Sequence, residues 1–141
     1  MATIKESLIV KTTAARAYRV WRDRPQDFMT GVESVETGEG RQLRWSLETE
    51  DGQRLQWTTE QTMDEAPHRL AWSGQGGDLQ QSGQVTFHQL NDDQVEVSLM
   101  TTTVAGDGSD EPLQALGDLR ARWQSDLSRF KALLEGRLEP D

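Results

Sequence analysis

The reactive side chains set narrow limits on the chemistry. The chain has two histidines, one tyrosine and no cysteine, so thiolate nucleophiles, thiolate metal sites and disulfides are excluded. His68 follows Pro67 in a turn, and His88 stands beside Phe87 with outward parity on its strand, so neither pairs with a second ligand or a nucleophile. No His-x-His or His-Glu-x-x-His spacing occurs, so neither a metal site nor a cofactor is expected. Asn91-Asp92-Asp93 is explained by a turn. General acid–base work needs a carboxylate or histidine in a dry pocket. Glu48, Glu60 and Glu96 have outward parity, whereas Glu33 and Glu36 near a sheet edge and Tyr18 on the first helix stay as candidates. No catalytic residue is assigned. Gly74-Gln75-Gly76-Gly77 falls between strands rather than before a helix, so it fails the context of a phosphate loop.

Binding chemistry has more material. Trp45, Trp57, Trp72, Phe87 and Trp123 fall on the inward parity of their elements, together with Leu99, Leu116 and Leu127. Such a set can line a pocket for a flat apolar ligand, with indole N–H groups as donors. It can equally fill a core. Thr59, Gln61, Thr101 and Thr103 share the inward parity and are placed to hydrogen-bond a carbonyl or hydroxyl, although their positions near strand ends predict half-exposed side chains.

These residues need a sheet and a helix to bring them together. Residues 3 to 10 alternate as a strand, and Thr12 and Thr13 are caps for a short helix from Ala14 to about Trp21. Pro25 stops that helix before a second turn-like segment carrying Phe28 and Met29. From Val32 to Val104 the period is two, giving a meander of about six strands with one apolar and one polar face. Breaks are predicted at Gly38-Glu39-Gly40, Asp51-Gly52, Ala66-Pro67, Gly74 to Asp78 and Asn91-Asp92-Asp93. Asp51-Gly52 reads as a type I′ hairpin turn that sets Leu43, Trp45 and Leu47 near Leu55, Trp57 and Thr59. Later turns pair Phe87 with Val97 and Val85 with Leu99, and put Gly83 beside Trp72, where it offers the indole a flat seat or bends the sheet.

Beyond Gly106 to Asp110, leucines and aromatics from Leu113 to Leu134 recur at three- and four-residue spacing. They predict one long helix from Pro112 to about Gly136, with Asp110 and Glu111 complementing its dipole. Its stripe and the apolar sheet face cover each other.

Composition agrees with a single domain over residues 1–141. An apolar fraction of 34% predicts a small core, to which five tryptophans contribute heavily. A net charge of -9 disfavours nucleic acid and anionic membrane surfaces. Arg16, Arg19, Arg22, Arg24, Arg120, Arg122, Arg129 and Arg137 are interleaved with acids or apolar residues and read as solvated helix faces. No apolar run approaches a bilayer span, so membrane insertion is not expected. The first residues lack the basic and apolar blocks of a signal peptide, and cytoplasmic residence is the expectation.

The order strand, two short helices, meander and closing helix resembles the helix-grip fold of the START-like, or SRPBCC, superfamily, closest to its polyketide cyclase/dehydrase and coenzyme-Q-binding branch. The resemblance rests on Ala15 to Trp21 with Phe28, Val32 to Glu36, Leu43-Arg44-Trp45, Asp64 to Trp72, Ser82 to Phe87, and Trp123 to Leu134. It implies an α+β fold in which a curved seven-stranded antiparallel sheet wraps a long C-terminal helix around a cavity. It implies no single chemistry. The leading expectation is binding of a small hydrophobic molecule such as a lipid, quinone or aromatic metabolite. A cyclase/dehydrase using the same cavity is the alternative, and a protein partner on the acidic outer sheet face is a weaker one.

Overall fold

The computed structural model describes residues 2–37, 40–105, 114 and 116–136. Period-two alternation becomes seven antiparallel strands: β1 (Ala2–Val10), β2 (Val32–Thr37), β3 (Gln42–Glu48), β4 (Arg54–Glu65), β5 (Arg69–Gly77), β6 (Leu79–Asn91) and β7 (Gln94–Ala105). They form one sheet in the order β1-β7-β6-β5-β4-β3-β2. After β1 the chain makes α1 (Ala14–Asp23), capped by the Thr13 hydroxyl accepting from Arg16 N, and a 3-10 turn (Pro25–Asp27) with Pro25 at its start. The fold is the expected α+β helix-grip arrangement.

Register follows the alternation. Leu43 pairs with Thr59, Trp45 with Trp57 and Leu47 with Leu55, so these side chains share the inner face. Phe87 pairs with Val97, Val85 with Leu99, and Trp72 with Gly83, as the turn positions predict. Register shifts near Thr58, Gln61 and Val32 curl the sheet at its β2–β5 end.

Several local expectations change. The β3–β4 connection is not a type I′ turn: only Gly52 has positive φ, at 87°. Gly52 N donates to Thr49 O and Thr49 N to Gln53 O, so the loop is a three-residue turn closed by a left-handed glycine. Gly74 to Gly77 are not a turn either. They continue β5, pairing Gly74 with Thr59 and Gly77 with Trp57; the missing side chain at Gly77 lets β5 lie close against β4, and that at Gly74 admits β6, where a Cβ would sit 2.8 Å from Gln81 N. A Cβ on Gly77 would sit 2.6 Å from Trp57 Cα. Gly83 has a reason other than Trp72: a Cβ there would meet Met100 O at 2.4 Å and Thr101 Cα at 2.9 Å, across the β6–β7 seam.

The C-terminal helix, α2 (Leu119–Leu134), begins later than its leucine spacing suggests. Gln114 and Leu116 are helical, but Gly117 at φ 74° breaks the run, and the Asp118 carboxylate starts α2 by accepting from Ala121 N at 3.1 Å. Asp110, Glu111, Pro112, Leu113 and Arg137 lie outside the described residues, as do Gly38 and Glu39 of the predicted β2–β3 turn. Among the described residues no helix is long and apolar enough to cross a membrane.

Inside the curl are two apolar clusters. The larger joins Ala17, Tyr18, Trp21 and Phe28 to Val85, Phe87, Val97 and Leu99 and to Trp123, Leu127, Phe130 and Leu134 of α2. The smaller contains Leu47, Leu55, Trp57, Leu79 and Leu116, with Trp45 against it. Polar clasps fix α2 on β1: Lys131 Nζ donates to Ile9 O at 2.9 Å, and Arg120 Nη1 meets Glu6 Oε1 at 2.8 Å.

Candidate functional site

The interior is nearly filled, and the space left lies where the two clusters meet. One void of about 70 Å³ is lined by Trp21, Arg22, Leu43, Trp45, Thr59, Gln61, Leu70 and Trp72, beneath the start of the 3-10 turn at Pro25. A second, of about 40 Å³, lies between Met29, Thr30 and Val32 on one side and Leu116, Leu119, Arg122, Trp123 and Asp126 on the other, floored by Trp45, Leu47, Trp57 and Leu79. Both fall short of the roughly 150 Å³ that holds a benzene-sized guest. A much larger trough of about 730 Å³ lies on the outer side of the sheet around Arg44, Ser46, Gln56, Thr58, Gln75 and Gly76. Its lining is largely polar and of outward parity, so it is a solvated surface feature rather than part of the interior.

Trp45 borders both voids. Its indole lies parallel to that of Trp57, with centroids 5.9 Å apart and 2° between planes, and its Nε1 donates to Thr59 Oγ1 at 3.0 Å. Trp45 itself is only half-buried. By contrast, the Nε1 atoms of Trp57 and Trp72 are buried without an acceptor among the described residues. A buried donor left without an acceptor costs about 1–3 kcal/mol.

The candidates separate by position. Trp45, Thr59 and Trp72 meet at the larger void, and Trp45, Trp57, Leu116 and Trp123 at the smaller. Phe87, Leu99 and Leu127 border neither of these voids and pack in the larger cluster. The threonines are not half-exposed as their strand-end positions predict: Thr59 and Thr101 are 1% exposed and Thr103 2%. β4 runs on to Glu65 and β7 to Ala105, so Thr59 and Thr101 lie well inside their strands on the covered face. Glu33 and Glu36 are exposed, Glu33 paired with Arg54. Tyr18 is buried, and its hydroxyl donates to Asp64 Oδ1; burial and that bond raise its pKa.

Two contributors have no place among the candidates read from the sequence. Trp21 is the aromatic hub of the interior, parallel to Trp123 at 6.4 Å and edge-on to Phe130 at 5.2 Å. Asp126 is a carboxylate 4% exposed. It accepts from Thr30 N at 2.9 Å and from the Thr30 hydroxyl, while Arg122 Nη2 donates to Thr30 O. Burial pushes the Asp126 carboxyl above its ordinary pKa, against the opposing pull of the Thr30 donors and the Arg122 and Arg129 guanidiniums. Its spacing carried the signal: Asp126 is three residues after Trp123 and four before Phe130, on the inward stripe. Besides Arg120, three more of the arginines read as solvated have structural work, although Arg16 and Arg22 are exposed as expected. Arg22 lies 5.2 Å over the Tyr18 ring, Arg122 holds Thr30, and Arg16 Nη1 donates to Leu134 O at 2.7 Å. Among the described residues no group of three or more His, Asp or Glu is placed to hold a metal ion.

No protein-family model matches the chain. It is 33% identical over 142 residues to an uncharacterized 17.2 kDa protein of Streptomyces lincolnensis, covering 97% of this chain and 92% of that one. A crystal structure of a Deinococcus radiodurans protein superposes with a TM-score of 0.73 at 27% identity, covering 98% of each chain. The Zhui aromatase/cyclase of a Streptomyces species superposes with a TM-score of 0.76 at 19% identity, covering 99% of this chain and 96% of that one, a likeness of fold alone. The chain therefore belongs to one family with the Streptomyces lincolnensis protein, and its curled seven-stranded sheet closed by a C-terminal helix is the START-like, polyketide-cyclase-like fold.

Proposed function

We propose that the protein binds a small, flat, hydrophobic molecule between its sheet and C-terminal helix. The observation that carries this reading is the pair of buried indole donors, Trp57 Nε1 and Trp72 Nε1, each on a residue bordering a void between the two clusters. A ligand oxygen accepting from either would remove the cost of an unpaired buried donor, and the aromatic walls would stack on its rings. The fold shared with an aromatase/cyclase supports a ligand-holding interior. Native mass spectrometry of the purified protein, with calorimetric titration of small aromatic alcohols, tests the reading. Stoichiometric binding is expected. Failure to bind any of them, with no co-purifying small molecule, would sink it.

Asp126 favours a second reading, cyclase/dehydrase chemistry in the same interior. It is a buried carboxyl beside a void, and burial favours its protonated form, which is what a proton donor to a leaving hydroxyl requires. Asp126→Asn separates the readings: an enzyme loses turnover while retaining binding, and a carrier retains both its ligand and its affinity.

A further inference from the structure

The geometry points to Trp45 as a movable partition: when its indole turns aside, the two voids join into one slot that admits a fused-ring molecule bearing an oxygen acceptor. This deepens the proposed function and rests on it.

Four observations place the partition. Trp45 borders both voids, and its neighbours on either side are divided between them: Thr59, its hydrogen-bond partner, faces the larger and Trp57, its stacking partner, the smaller. The voids follow the boundary between two separately packed clusters, so widening that boundary breaks neither core. Trp45 is half-buried and packs against the margin of the smaller cluster, so its side chain is not enclosed on all sides. Its polar anchor is one hydrogen bond, to Thr59. Turning it aside would free the Thr59 hydroxyl and open a slot with an unpartnered indole donor on each side, from Trp57 and Trp72. Phenol-sized molecules would need only one void enlarged, whereas a two-ring molecule would need both.

The test is calorimetric titration of wild type, Trp45→Phe and Trp45→Ala with 1-naphthol and with phenol, with thermal melts to establish folding. The expected result is at least tenfold tighter binding of 1-naphthol by Trp45→Ala, an intermediate gain for Trp45→Phe, and less than a threefold change for phenol. Binding of 1-naphthol by the variants alone also supports the partition. Should Trp45→Ala not fold, Trp45→Phe decides, with a gain of at least threefold expected. If wild type binds 1-naphthol and the folded variants bind it no tighter, the partition is refuted and the proposed function stands. If no form binds 1-naphthol the partition is refuted, and if in addition none binds phenol or any other aromatic alcohol and no small molecule co-purifies, the proposed function falls with it.

Discussion

Asp126 of α2 accepts two hydrogen bonds from Thr30, one from its backbone N–H and one from its hydroxyl, and so ties the C-terminal helix to the segment leading into β2. The bonds compensate only part of what burial takes from the charged form, and the carboxyl is left with a raised pKa.

That raised value sets a pH dependence. Between the ordinary carboxyl pKa of 3.8 and the raised folded value, the native state holds a proton that the unfolded chain has released. Stability therefore falls as pH rises through this window, and above it the ionised Asp126 imposes its full cost. Asp126→Asn cannot ionise and keeps an oxygen for Thr30. The melting temperature of the variant relative to wild type is expected to rise with pH through the window and then level off. Scanning calorimetry across acidic and neutral pH checks this; an advantage that shrinks as pH rises would contradict it.

Gly83→Ala is expected to destabilise the protein by about 2 kcal/mol or more, because the added carbon meets backbone atoms of β7 that cannot give way. Urea unfolding measures it. A change below about 0.5 kcal/mol would show that β6 and β7 can move apart at no cost.

Trp72→Phe should be nearly neutral in the unliganded protein, within about 1 kcal/mol, since lost packing is offset by removal of an unpaired buried donor. The same variant should bind 1-naphthol more weakly than wild type while binding naphthalene equally. Equal loss for both probes would mean that Trp72 contributes shape alone.

Asp118→Ala removes the cap of α2 and is expected to cost about 1 kcal/mol. Denaturant titration checks it, and an unchanged midpoint would show that Leu119 and Trp123 hold the first turn without the cap.

The fold was legible because its signals are local and repeated. Alternation over β3 and β4 forces Trp45, Trp57 and Leu55 onto one face, and any register that kept them buried would pair them much as observed. The stripe from Trp123 to Leu134 requires a sheet face to cover it. The start of α2 was less legible, because leucine spacing runs on through residues whose backbone is broken at Gly117. Likewise Gly74 to Gly77 have the composition of a turn, and only pairing with Trp57, Thr58 and Thr59 of β4 makes them strand.

Local pattern alone therefore determined the helix-grip architecture, the inward set of tryptophans and the absence of thiol chemistry. Whether those tryptophans enclose space was a tertiary matter. It depends on how far the sheet curls and on how side chains such as Trp45 and Trp57 pack across it, and parity carries no information about that. The burial of Asp126 was decided in the same way: its place on the inward stripe is written in the chain, but its isolation from water arises only when Thr30 and α2 come together.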